Sequence, residues 1–232
     1  MNKEGNTYTI IYAAVMVIVV AVLLAFTAEG LRGRQEKNAE IDKKEQILRA
    51  LRIAATAKDA EEIYQKTITD SYVLSYDGNK KNGEDAFTVD QNIEKEIKKP
   101  VAERKLPVYE AMAEGAKKYV IPLRGTGLWG PVWGYIALND DKITVFGATF
   151  GHKGETPGLG AEIDTEHFQK EFYDKQIARN GKFTSIAVVK AGQSKNDMDY
   201  VDGISGGTIT SQGVNEMLKN CLSAYENFLL KK

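Results

Sequence analysis

Ten residues near the C-terminus of the 232-residue chain, Asp202-Gly203-Ile204-Ser205-Gly206-Gly207-Thr208-Ile209-Thr210-Ser211, join adjacent glycines to four hydroxyl side chains. An apolar stripe follows at once. Val214, Met217, Leu218, Cys221, Leu222, Tyr225, Phe228 and Leu229 recur at the i, i+3, i+4 spacing that predicts an amphipathic helix. The start of a helix attracts anions, because its first N–H groups lack intrahelical partners and the macrodipole places about half a positive charge there. Glycine lets the backbone approach a phosphate closely, and a neighbouring hydroxyl can donate to that phosphate or be esterified by it. The structural alternative is a helix cap, with Thr210 or Ser211 as N-cap behind a glycine turn.

Two further stretches carry unusual backbone signals. In His152-Lys153-Gly154-Glu155-Thr156-Pro157-Gly158-Leu159-Gly160, proline followed by glycine marks a type II turn. In Gly125-Thr126-Gly127-Leu128-Trp129-Gly130-Pro131-Val132-Trp133-Gly134, glycines alternate with two tryptophans, whose ordinary fate is the core and whose alternative is stacking on a ligand. Lys190 stands at a strand end ahead of Ala191-Gly192, either as a solvated surface residue or as a cation for a phosphate. His152 and His167 are the only histidines, and neither sits at metal-ligand spacing. No Ser-His-Asp arrangement, Walker loop or Rossmann fingerprint is present, so the chain is not expected to bind NADH itself.

In this order, the three glycine-containing stretches resemble the FMN-binding-domain family. Asp-Gly-x-Ser-Gly-(Ala/Gly)-Thr-x-Thr-Ser is similar to its flavinylation motif, with Gly207 where alanine is more usual. Glu-Thr-Pro-Gly-Leu-Gly is similar to its second signature, which in the family lies against the flavin ring. The Gly-x-Gly-Leu-Trp form resembles the member found in Na+-translocating NADH:quinone oxidoreductases more than the one found in the Rnf complex. The resemblance covers essentially the full chain.

The resemblance implies FMN held covalently, by a phosphoester to Thr208 that a separate flavin transferase makes. Ser205, Thr210 and the N–H groups of Gly206 and Gly207 would then cradle the remaining oxygens. Glu155, Thr156, Gly158 and Leu159 would lie along the ring, with Leu159 on its face, Lys190 near the phosphate or N1 side, and Trp129 stacking. Asp202 is an odd neighbour for a phosphate, since like charges repel. It is assigned either to the transferase reaction or to an Asx turn with Gly203. The implied function is electron transfer as one subunit of a membrane complex, whose other subunits handle NADH, ubiquinone and Na+. The rivals are the Rnf counterpart, which couples ferredoxin and NAD, a non-redox anchored module that binds a phosphate ligand reversibly, and a cytoplasmic membrane-tethered scaffold.

Such a site needs a scaffold. With 31 basic and 32 acidic residues the chain has no electrostatic footprint for nucleic acid, and its single cysteine excludes an intrachain disulfide. Tyr8 to Ala28 is uncharged and long enough to span a bilayer, longer than the apolar part of a signal peptide. Lys3 and Glu4 precede it, while Arg32, Arg34, Lys37, Lys43 and Lys44 follow. That balance alone would place the soluble domain in the cytoplasm. The resemblance instead implies a single-pass protein of the bacterial inner membrane, with its flavin domain on the periplasmic side. The boundaries follow as a transmembrane anchor over 1–30, a charged helical stalk over 31–67 and an FMN-binding domain over 68–232. Strands are predicted at 118–123, 133–138, 142–150 and 183–189, a helix at 163–176, and one long C-terminal helix. This is an α+β fold, a sheet layered with helices.

Overall fold

The computed structural model describes residues 5–231, so Lys3 and Glu4 lie outside the described residues. Two compact units divide between Lys43 and Lys44. In the first, helix α1 (Asn6–Ala50) begins with a run that is long and apolar enough to cross a membrane by length and composition. None of that run is buried by protein.

The end of α1 is cut by its sequence. Ile53 N–H donates to Leu48 O (3.0 Å) and Arg52 N–H to Arg49 O (2.9 Å), with Arg52 at φ 60°. That is a Schellman stop with arginine in the left-handed position where glycine is usual. The Arg52 guanidinium lies over the Phe146 and Tyr173 rings at 4.4 and 4.0 Å, which offsets the backbone cost. Ile47, Leu48 and Leu51 are fully buried, each contributing about 1.5–3 kcal/mol by transfer from water. Within the stretch expected as a stalk, 31–67, the helix is interrupted after Ala50, and the burial is concentrated at Lys44, Ile47, Leu48, Ala50 and Leu51. Helix α2 (Ala60–Thr67) follows a break and leads into the sheet.

The remaining elements are β1 (Ile68–Leu74), β2 (Lys80–Lys81), α3 (Ala86–Gln91), α4 (Ile93–Ile97), β3 (Leu106–Ala113), β4 (Ala116–Thr126), β5 (Pro131–Leu138), β6 (Val145–His152), a 3-10 turn Gly160–Asp164, α5 (Glu166–Lys170), β7 (Ala178–Arg179), β8 (Lys182–Phe183), β9 (Ile186–Val189), β10 (Asp199–Asp202), α6 (Thr208–Ser223) and α7 (Glu226–Leu229). The six-stranded sheet runs β2-β1-β3-β4-β5-β6, antiparallel throughout.

Strands β3 to β6 are buried on both faces along most of their length, and alternate residues serve opposite layers. Ile121, Leu123, Val132, Ile136 and Phe150 pack against Val214, Leu218 and Leu222 of α6. Val120, Tyr135, Ala137 and Phe146 pack against Ile47 of α1, Leu51 just after it and Val89 of α3. Within this second layer the hydroxyls of Tyr109 and Tyr135 donate to buried Asp90 at 2.9 and 2.7 Å. Burial, together with the Asp90 charge, pushes the Tyr109 hydroxyl well above its ordinary pKa, so it stays a donor.

The α+β class and the strands over β4, β5 and β6 agree with the sequence reading. Three elements differ. The helix expected at 163–176 shrinks to the 3-10 turn and α5, although Ile163, Phe168 and Phe172 still point inward. The expected strand at 183–189 is only β9, and it pairs in parallel with β10 rather than joining the main sheet. The C-terminal helix breaks after Ser223, with α7 completing the stripe through Leu229.

Gly147 of β6 is where the end of α1 meets the sheet, because an added Cβ would lie 2.3 Å from Ala50 O. Gly147→Ala should lower unfolding stability by about 1–3 kcal/mol, the usual cost of overpacking. Gly154→Ala, which meets nothing within 4 Å, should be near neutral. Urea midpoints of the two variants test this, and equal midpoints would contradict the tight docking of that helix end.

Candidate functional site

Helix α6 starts at Thr208, with Gly207 as an N-cap that makes no side-chain cap bond. Thr210 and Ser211 are therefore not caps, contrary to the structural alternative above; they lie in the first turn and both are buried. The turn ahead of the helix closes on itself. Gly206 takes φ 76°, Gly207 N–H donates to Ile204 O (3.0 Å), and Ser211 Oγ accepts from Ile204 N–H (2.9 Å). This leaves Thr208 exposed at the N-terminus of a sixteen-residue helix.

Glu155 holds the neighbouring loops to that helix. Only 5 % exposed, its carboxylate accepts from Trp129 N–H (2.8 Å) at Oε1 and from the Thr210 hydroxyl (2.6 Å) at Oε2. The Glu155 N–H donates in turn to His152 Nδ1 (3.1 Å). One side chain thus joins the β4–β5 loop, the loop after β6 and the first turn of α6. Glycines make the approach possible. A Cβ on Gly127 would stand 2.5 Å from Glu155 Oε1, one on Gly160 2.4 Å from Thr210 Oγ1, and one on Gly213 2.2 Å from Thr126 O.

Two concavities meet at Thr208. A hollow of about 210 Å³ is lined by Leu128, Glu155, Thr156, Leu159, Gly160, Gly206, Gly207, Thr208, Ile209 and Thr210. A cleft of about 650 Å³ lies between β9 and α6; Ser205, Gly206, Thr208 and Lys190 are part of its wall. Most of the residues singled out from sequence therefore surround Thr208, on one side or the other. Gly158 and Trp129 line neither space. Gly158 turns at φ 72° with its N–H on Glu162 Oε1, and Trp129 is 67 % exposed beside Leu128.

Two roles change with the geometry. Thr210 is not an open phosphate donor, because its hydroxyl proton is directed to Glu155 in the interior. Glu155 lines the hollow, but its carboxylate is turned to the chain, each oxygen accepting a bond from within the protein. Asp202 ends β10, exposed, with its N–H on Glu171 Oε2 (2.9 Å). Sequence reasoning misses Leu128 and Ile209. Ile209 gives a signal, as an apolar residue lying off the Val214–Leu229 stripe on the face of α6 that should be polar.

Residues 127–223 match the family model described as an FMN-binding domain. A relative from Vibrio alginolyticus, the NqrC subunit of its Na(+)-translocating NADH-quinone reductase, is 31 % identical over 228 residues, spanning 92 % of this chain and 89 % of that protein. The crystal structure of the corresponding Na(+)-translocating NADH-quinone reductase subunit from Parabacteroides distasonis superposes with a TM-score of 0.79 at 45 % identity, covering 87 % of this chain and 98 % of that one. Shewanella oneidensis NqrC shares the fold, with a TM-score of 0.67 at 24 % identity over 83 % of this chain and 98 % of that one.

The Glu155 contacts set a stability prediction. Glu155→Ala leaves the buried Thr210 hydroxyl and the part-buried Trp129 N–H without an acceptor and should cost about 2–3 kcal/mol. Glu155→Gln keeps the volume and one acceptor, so it should lose roughly half as much by the same reasoning. Denaturant unfolding measures both, and an unshifted Glu155→Ala midpoint would show that this carboxylate does not hold the loops together.

Proposed function

The chain belongs to the NqrC family of Na(+)-translocating NADH-quinone reductase subunits, and from that membership and the site around Thr208 we propose a membrane-anchored electron carrier with FMN esterified to Thr208. The observation that carries the reading is the position of Thr208, an exposed hydroxyl on the first residue of α6, on the wall shared by hollow and cleft. When bound, FMN supplies the redox chemistry, while the protein supplies attachment, orientation and electrostatics.

The free N–H groups and positive end of α6 stabilise the phosphate charge beside Thr208. Ser205 and the Gly206–Gly207 backbone complete the cradle, and Lys190 supplies a cation from the cleft wall. The open side chains of Leu128, Leu159 and Ile209, next to Thr156, form an apolar seat for the ring, and Trp129 flanks it. Glu155 and Thr210 act from behind, fixing where the ring seat and the acceptor stand relative to each other. An ester at Thr208 abolishes the dissociation equilibrium, so the carrier keeps its cofactor through every redox state.

The apolar run of α1 anchors the chain in a bacterial inner membrane. The flavin domain faces the periplasm, as the family resemblance implies and against the charge flanking the span. Electrons reach and leave the cofactor through other subunits of the complex, which also handle NADH, ubiquinone and Na+; a flavin transferase makes the ester during maturation. Asp202, open beside the acceptor turn, serves that reaction rather than the finished site. The Rnf alternative gains nothing from the relatives, which are named as subunits of NADH-quinone reductases.

Intact mass under denaturing conditions is the direct test. Chain made alongside an active flavin transferase should carry the added mass of FMN, and Thr208→Ala should carry none. An unmodified wild-type chain, with the transferase working on a control substrate, would return the turn to a purely structural role.

A further inference from the structure

The hollow is lined by ten residues, and Glu155 alone among them carries a charge. The others are glycines, threonines and the apolar residues Leu128, Leu159 and Ile209. The Glu155 carboxylate is buried and forms no ion pair among the described residues. Lys190, the cation assigned to the phosphate, stands on the wall of the cleft instead.

The two donors on Glu155, Trp129 N–H and the Thr210 hydroxyl, hold its charge without cancelling it. Hydrogen bonds are dipoles, and only a cation would bring the net charge to zero. The positive end of α6 also reaches the hollow, through Thr208 and Thr210. It amounts to about half a charge, and a phosphodiester at Thr208 outweighs it. Among the side chains that line the ring seat, the field is therefore that of one anion. Apolar surroundings keep the effective dielectric low, so this charge acts more strongly than it would in water.

We propose that the Glu155 carboxylate sets the reduction potential of the flavin, holding it below the value that a neutral residue at this position would give. The inference rests on the reading that FMN at Thr208 seats its ring in the hollow. Each electron that the ring takes from its donor brings one negative charge into the hollow, unless a proton from water follows it. A fixed anion disfavours that added charge and leaves the neutral, oxidised ring almost unaffected, so the potential falls. Bracing the loops needs the hydrogen bonds of Glu155; tuning the flavin needs its charge. The two roles can be separated by substitution.

The test is a redox titration of the full-length, flavin-loaded chain, with dithionite supplying the electrons. Flavin absorbance reads the midpoint potential, and intact mass reads the flavin content. Glu155→Gln keeps the side-chain volume and removes the charge. At the wild-type midpoint potential its ratio of reduced to oxidised flavin should be about tenfold higher, a rise of about 59 mV for a one-electron step. Thr210→Val removes one donor and keeps the charge, so its potential should hold or fall. No rise in Glu155→Gln would overturn the proposal. So would an equal rise in Thr210→Val, which would assign the effect to loosened loops. The Glu155→Gln shift should persist from about 20 to about 300 mM salt, because buried charges are screened little; a shift lost at the upper end would trace it to surface charge and overturn the assignment. Thr156→Lys covers a Glu155→Gln chain that fails to fold or to take flavin. Thr156 lines the hollow and is exposed, so lysine adds a cation there without entering the core. Its potential should also rise, and an unmoved value would overturn the proposal. Absence of flavin from the wild-type chain would fail at the earlier step, by removing the cofactor reading itself.

Discussion

A single buried carboxylate holds the site together. Glu155 is buried and forms no ion pair among the described residues, so its carboxylate is met by directed donors, Trp129 N–H and the Thr210 hydroxyl. A buried charge in that position is costly unless its bonds are made. That cost makes the arrangement specific, because only one placement of the three loops satisfies both oxygens. Gly127 and Gly160 belong to the same constraint, since any side chain there would occupy the space of the carboxylate or of the hydroxyl it accepts from. What reads in sequence as a glycine-rich ligand loop is in large part a device for bringing backbone up to Glu155.

The sheet carries this assembly between two different layers. On one face α6 lies along β4, and Gly213 lets its backbone reach Thr126 at the root of the tryptophan loop. On the other, the end of α1 and α3 close over an apolar surface with Asp90 at its centre, satisfied by two tyrosine hydroxyls. The helix that begins at Thr208 is therefore seated on a surface itself packed from behind, so the position of Thr208 is set by the whole core rather than by a loop.

Much of this was legible in the sequence because short motifs and strict periodicity report it directly. The α6 stripe, the hairpin strands flanking the Gly-Trp loop and the uncharged N-terminal run each follow from one pattern. The parts that were not legible depend on tertiary context. Leu106–Ala113 ends in Glu-Ala-Met-Ala, good helix formers, yet lies between two strands of the sheet and is pulled into it. The stop after Ala50 needed Arg52 in a conformation normally signalled by glycine, supported by two aromatic rings distant in sequence. Phe172 kept its inward position beside Phe168 although the helix ends at Lys170. At the site, sequence reasoning found the right residue types but gave Glu155 and Thr210 to the ligand, because nothing in a linear motif tells a polar side chain aimed at solvent from one aimed at its neighbour.

The lone cysteine has a different consequence. Cys221 is buried on α6, its Sγ accepting from the Arg124 N–H and donating to the Arg124 carbonyl, and burial pushes its thiol up in pKa. The thiolate is the form that oxidants and disulfides react with. With no second cysteine in the chain and this one kept protonated, the polypeptide has no sulfur couple of its own to poise. It is chemically silent toward glutathione on one side of a membrane and toward disulfide-forming catalysts on the other. The folded state therefore does not depend on whether the compartment is reducing or oxidising.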